Sequence, residues 1–155
     1  MKKPLTDNAI VVNVSQQIAK PVADVFEAIV NPNHMVNYFV TEASGPMEKG
    51  ANLCWTFGDV GVSCDIKVIG IKKNEQITFT WPTGEKDTTV NISLLAIDDN
   101  LTEVTANESG WDLDEDGVKK ALGQTQGWTV MLLCLKAYLE FNINLRRGLK
   151  LSTNC

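Results

Sequence analysis

Between residues 52 and 108 apolar and polar residues alternate with a period of two. Leu53, Trp55 and Phe57 alternate with Cys54 and Thr56, then Cys64, Ile66 and Val68 with Ser63, Asp65 and Lys67. Ile77, Phe79 and Trp81 alternate with Thr78 and Thr80, and Val90, Ile92 and Leu94 with Thr89, Asn91 and Ser93. Val104, Ala106 and Glu108 alternate with Glu103, Thr105 and Asn107. Such alternation buries one face of a strand and wets the other, which is the habit of antiparallel sheets. The breaks are short and turn-rich: Gly58-Asp59-Val60-Gly61, Lys72-Lys73-Asn74, Pro82-Thr83-Gly84-Glu85 and Asp98-Asp99-Asn100. Parallel strands would need long crossovers instead. The β-branched run Ile10 to Ile18 and a brief stretch from Thr41 to Ser44 bring the predicted strands to seven.

The period changes elsewhere. Pro21 suits the first turn of a helix, and Val22, Val25, Phe26 and Ile29 share one helical face. Residues 21–30 therefore predict a short amphipathic helix, stopped at Asn31-Pro32. Asn33 to Phe39 predicts a second short helix. Toward the C-terminus, Trp128, Leu132, Leu135 and Leu139 recur at steps of four, three and four. This helix begins in the acidic run Asp112-Leu113-Asp114-Glu115-Asp116, with Asp114 or Asp112 as N-cap. It is expected to reach about Arg147, before Gly148, a length of roughly 45–50 Å at the α-helical rise. Gly117, Gly123 and Gly127 each cost about 1 kcal/mol relative to Ala, so the first half is expected to bend or fray.

A long apolar helix that follows strands needs a sheet to lie on. The expected fold is α+β, a helix-grip arrangement. A seven-stranded curved antiparallel sheet wraps the long C-terminal helix, and two short helices sit between strands 1 and 2. One domain spans 1–155, with a core over about 8–147 and a frayed start at residues 1–8. A strongly curved sheet cannot close on a helix everywhere, so the space between them is where this architecture would place a ligand.

Bulk properties narrow the partners. A chain of 155 residues can bury a sizeable core. With 14 basic against 19 acidic residues and a net charge of -5, the balance argues against a nucleic-acid partner or an anionic membrane surface. Lys2-Lys3 is followed by Pro4-Leu5-Thr6-Asp7-Asn8, which supplies no apolar signal core. The apolar run at 128–139 is shorter than the ~20 residues a bilayer needs, so no membrane insertion is expected and the protein reads as cytoplasmic. Cys54, Cys64, Cys134 and Cys155 form no CxxC, and one histidine does not complete a typical zinc set. They read as three buried free thiols and one on a loose tail. A Cys54–Cys64 bridge is geometrically open if their strands pair, although a cytosolic setting disfavours it. No metal and no cofactor is expected.

Few residues offer chemistry. Glu108 continues the inward parity of Val104 and Ala106. It is either a carboxylate facing an apolar cavity, where it could act as acid or base, or a strand-end residue reaching solvent or a backbone group. His34, the single histidine, has no recognisable nucleophile–base order around it. Asp112, Asp114 and Asp116 followed by Gly117 match the opening of a calcium loop, but position twelve is Gly123 rather than a bidentate Glu, so an acidic helix start is the simpler reading. No phosphate loop or dinucleotide fingerprint is present. The inward parities, the helical face and the helix-pair residue Phe39 together nominate a ligand wall: Phe39, Trp55, Phe57, Ile66, Phe79, Trp81, Ile92, Val104, Glu108, Trp128, Leu132 and Leu135. An aromatic wall with few polar groups favours a lipid-like, aromatic or polycyclic ligand.

Four stretches carry a family resemblance. They are Ile18-Ala19-Lys20-Pro21-Val22-Ala23-Asp24-Val25-Phe26-Glu27-Ala28-Ile29, the strand Ile77-Thr78-Phe79-Thr80-Trp81, the segment from Leu101 to Trp111, and Gly127-Trp128 with the helix to Glu140. Over about residues 8–147 the sequence resembles the START/SRPBCC superfamily with the birch-pollen-allergen-like helix-grip fold. Within it the chain is similar to the group named after the activator of the heat-shock protein 90 ATPase. The resemblance implies a fold more than a reaction, and no catalytic set carries over. The leading expectation is a domain that binds a small hydrophobic or amphipathic molecule in an internal apolar cavity. Two alternatives stand beside it: an interaction module acting on a heat-shock protein 90-type chaperone, or a cyclase or hydrolase with Glu108 and His34 as its candidates.

Overall fold

The computed structural model describes residues 9–146. The expected frayed start at 1–8, the predicted helix end at Arg147-Gly148, and Cys155 lie outside the described residues. The order is β1 (Val12–Ile18), α1 (Val22–Val30), α2 (Pro32–Met35), β2 (Glu42–Ala43), β3 (Asn52–Phe57), β4 (Val62–Lys72), β5 (Gln76–Pro82), β6 (Asp87–Asp98), β7 (Leu101–Ser109) and α3 (Glu115–Phe141). All seven strands form one sheet in the order β1-β7-β6-β5-β4-β3-β2, and each neighbouring pair is antiparallel. The chain thus meanders from β2 to β7, and β1 closes the far edge against β7. Register shifts between Val68 and Gly70 and between Ala96 and Asp98 are bulges, which bend a strand and raise its twist. The result is the α+β helix-grip fold.

The predicted parities hold along β3 to β7. Leu53, Trp55, Phe57, Cys64, Ile66, Val68, Ile77, Phe79, Trp81, Val90, Ile92, Leu94, Val104, Ala106 and Glu108 are all buried on the inner face. That face meets α3 through Trp128, Met131, Leu132, Cys134 and Leu135. The backbone of α3 runs close to β1. Lys136 Nζ donates to Gln17 O at 2.7 Å, and the Ala19 N–H donates to Glu140 at 3.0 Å.

Two helices differ from expectation. The second short helix stops at Met35, not Phe39. The N–H groups of Tyr38, Phe39 and Val40 all converge on the Met35 carbonyl. This tightens the chain and turns three consecutive side chains, Tyr38, Phe39 and Val40, into the core, which one face of a regular helix cannot do. Helix α3 is unbroken through its three glycines and spans 27 residues, about 40 Å. Asp114 is its N-cap, accepting from the Gly117 N–H at 2.8 Å. It ends earlier than predicted because Asn142 takes the left-handed conformation at φ 54°, a role that Asn tolerates at a helix end.

Candidate functional site

Beneath α3 six aromatic rings make one connected cluster. Trp55 and Phe57 come from β3, Phe79 and Trp81 from β5, Trp128 from α3, and Phe39 from the turn after α2. Phe39 meets Trp55 and Phe57 edge-on with centroids 5.3 Å apart, and lies 6.3 Å from Trp128. Trp55 meets Phe79 at 5.3 Å and Trp81 at 6.2 Å, and Trp81 lies 5.5 Å from Trp128. All these spacings lie in the favourable range for aromatic pairs; the contacts among Phe39, Trp55, Phe57, Phe79 and Trp81 are edge-to-face, and those to Trp128 are tilted by 36–38°. Every residue nominated for the ligand wall, including Ile66, Ile92, Val104, Leu132 and Leu135, is buried in this interior.

Glu108 sits at one end of the cluster and is completely buried. One carboxylate oxygen accepts from Trp128 Nε1 at 2.7 Å and Gln124 Nε2 at 3.0 Å. The other accepts from Trp81 Nε1 at 2.9 Å and from the Thr88 hydroxyl. Its backbone carbonyl accepts from Trp111 Nε1 at 3.1 Å. The side chain therefore points inward, and its oxygens are occupied by four donors from β5, β6 and α3. None of the donors is cationic. Two are indoles, which can only donate. This arrangement suits a clamp that ties the sheet to α3, because the two α3 donors, Gln124 and Trp128, lose their partner if α3 moves away. Sequence parity singled out Glu108 but missed Thr88 and Gln124. Thr88 shares the inward parity of Val90, and Gln124 lies one helical turn before Trp128, so both were accessible to the same periodicities.

The four tryptophans are unequal. Trp81, Trp111 and Trp128 all donate to Glu108, through its carboxylate or its carbonyl. Trp55 is 1% exposed, and its indole N–H has no acceptor among the described residues. A buried donor without a partner costs about 1–3 kcal/mol; among the described residues the other buried side-chain polar atom without a partner is Asn74 Oδ1, in the β4–β5 turn.

His34 lies against α3, where its Nδ1 is 2.7 Å from the Tyr138 hydroxyl. Tyr138 stacks on Tyr38 at 5.8 Å. Tyr38 is fully buried, donates to Ala28 O at 2.9 Å, and has its phenol pushed above the ordinary value by burial and then by Tyr138. His34 thus tethers the helix pair to α3. An open cleft of about 370 Å³ adjoins it, lined by Asn37, Tyr138, Asn142, Ile143 and Asn144. Arg146, just beyond the end of α3, reaches the β3–β4 hairpin. It pairs with Asp59 at 2.7 Å and lies 5.7 Å from the centre of the Phe57 ring.

The acidic run has other partners than calcium. Asp112 pairs with Lys86 at 2.7 Å, Asp116 pairs with Lys120 at 2.9 Å, and Asp114 caps α3. Among the described residues no group of three or more His, Cys, Asp or Glu side chains is placed to hold a metal. The cysteine expectation needs correction. Cys54 is a free, exposed thiol, because it sits at an outward position of β3. Cys64 faces the interior from β4 and is disulfide-bonded rather than a free thiol; Cys54 lies on the opposite face of the sheet, so these two do not bridge each other. Cys134 is buried and free, with its thiol pushed up by burial against the opposing charge of Arg146. Among the described residues no helix is long and apolar enough to cross a membrane.

Residues 19–140 match the model of the family described as activator of Hsp90 ATPase homolog 1-like protein. The chain belongs to this family. Its domain is START-like, of the SRPBCC type. A crystal structure of a Staphylococcus saprophyticus protein is similar at 29% identity, with a TM-score of 0.78 over 88% of this chain and 96% of the other. DynU16, a protein of the dynemicin biosynthetic locus, is 26% identical with a TM-score of 0.76, over 86% of this chain and 48% of its own. The Aha1 dimer of Colwellia psychrerythraea shares the fold, with 20% identity and a TM-score of 0.71 over 85% of this chain and 97% of the other. No functionally curated protein matches the chain.

Proposed function

We propose that this protein binds a small hydrophobic or amphipathic molecule between the curved sheet and α3. The observation that carries the reading is the aromatic cluster of Phe39, Trp55, Phe57, Phe79, Trp81 and Trp128 on the concave face. The nominated wall surrounds this cluster with Ile66, Ile92, Val104, Leu132 and Leu135, and Glu108 closes one end. Apolar walls with a few placed polar groups are the usual make-up of a small-molecule site. Phe39 is the ring carried by a turn rather than by the sheet or α3, so its displacement is the simplest route of entry. Nile red, a neutral polycyclic dye, is the probe. Saturable, stoichiometric fluorescence enhancement that weakens in Phe39→Ala supports the reading. No saturable binding, together with unchanged methyl and indole NMR signals from the interior, overturns it.

The family assignment favours a second reading, an interaction with a heat-shock protein 90-type chaperone. Stimulation of such a chaperone's ATPase by the purified protein would support it, and a flat titration would oppose it. Cyclase or hydrolase chemistry at Glu108 has less support, because four donors already occupy its carboxylate.

A further inference from the structure

We infer that the interior selects a neutral aromatic molecule carrying an oxygen acceptor, and that Trp55 Nε1–H is the donor that reads this acceptor. The inference rests on the small-molecule reading above and assigns its ligand class.

Of four indole N–H groups, three are satisfied by Glu108 and that of Trp55 is not. An indole nitrogen only donates, so whatever completes it must bring a lone pair. Buried polar groups are nearly always paired in native proteins, and an orphan marks a missing partner. The surroundings fix the rest of the ligand. Phe39 and Phe79 lie 5.3 Å from Trp55, and Trp81 lies 6.2 Å away. These faces and edges suit another aromatic body. The charge is fixed by Glu108, which sits directly behind Trp81 and is hydrogen-bonded by neutral donors alone. A second anion in this low-dielectric interior would meet an uncompensated carboxylate. A carbonyl or hydroxyl oxygen on a neutral ring system satisfies all three conditions, and a fatty-acid or aryl carboxylate fails the last.

Three probes of one size separate the terms: methyl β-naphthyl ketone, its hydrocarbon isostere β-isopropylnaphthalene, and β-naphthoate. Binding is followed by calorimetry and by indole N–H NMR of the wild-type protein, with resonances assigned from Trp→Phe variants. The ketone should bind about 10-fold tighter than the hydrocarbon, the ratio given by one hydrogen bond of ordinary net strength, and the naphthoate should bind most weakly. The ketone alone should move the Trp55 indole proton downfield. In Trp55→Phe the ketone and hydrocarbon should bind equally. The NMR result on unmutated protein stands even if that variant folds poorly. If the two neutral probes bind equally and the Trp55 signal stays in place, as it would were the N–H held by a buried water, the Trp55 assignment falls while the small-molecule reading survives. If the naphthoate binds as well as the ketone, the charge selection falls. If no probe binds, the small-molecule reading fails and this inference with it.

Discussion

Replacing Glu108 by Gln keeps the shape of the side chain and exchanges one acceptor oxygen for a donor. In either amide orientation the remaining oxygen can serve one pair of donors, Trp81 with Thr88 or Trp128 with Gln124. The amide then faces the other pair. Thr88 can rotate its hydroxyl and Gln124 can flip, but an indole cannot accept. One tryptophan N–H is stranded whichever way the amide settles, at about 1–3 kcal/mol. The two retained bonds fall from charge-assisted to neutral, which loses about 1 kcal/mol each. Removing a buried ion returns part of that loss. The expected net destabilisation is about 2–4 kcal/mol. With a urea m-value near 2 kcal/mol per molar, the midpoint should drop by about 1–2 M. Far-UV circular dichroism is the proper signal, because tryptophan fluorescence reports on the mutated site itself. In a Trp128→Phe background the same substitution should cost less, since one stranded donor is already gone. A midpoint change under about 0.3 M, or an increase, would mean that burying the charge costs as much as four bonds return, and the clamp reading would be wrong.

Other outcomes follow from single contacts. A Cβ on Gly117 would lie 1.8 Å from Asp112 O and 2.7 Å from Asp112 C, so Gly117→Ala should destabilise by about 1–3 kcal/mol or more. Gly123→Ala and Gly127→Ala meet nothing within 4 Å and should each stabilise by about 0.5–1 kcal/mol, read by thermal unfolding. Burial alone would raise the Glu140 carboxyl, but hydrogen bonds from Lys136 and the Ala19 N–H, with the charge of Lys136, hold it below 4.5. Its stabilising contribution is therefore whole above pH 4.5 and is lost as pH falls through the lower folded value. The stability gap between wild type and Glu140→Gln should be constant from about pH 7 to 5 and close below that; a pH-independent gap would refute the assignment. Asp59 and Arg146 are 15% and 11% exposed, so Asp59→Asn should lower stability by about 1–2 kcal/mol, measured by urea unfolding, because it leaves a largely buried guanidinium over Phe57 without its anion.

The sequence by itself determined the sheet. Side chains alternate strictly along a strand, so Trp55, Phe79 and Ile92 could be put on the inner face without any knowledge of the partner strands, whereas parity at the strand end leaves Glu108 open between the interior and solvent. The α3 face that carries Trp128, Leu132 and Leu135 is likewise legible, while the sequence narrows the N-cap to Asp112 or Asp114 and the structure selects Asp114. Periodicity does not report on which two elements meet. Only the tertiary structure brought Trp81, Thr88, Gln124 and Trp128 onto one carboxylate, and it paired His34 with Tyr138 at a separation of 104 residues. It also decided where the helices end, because the convergence of three N–H groups on Met35 O and the left-handed Asn142 are backbone events that leave no hydrophobic period. The orphan at Trp55 belongs to the same class. A missing hydrogen bond is a property of every neighbour at once, and no local pattern of residues encodes it.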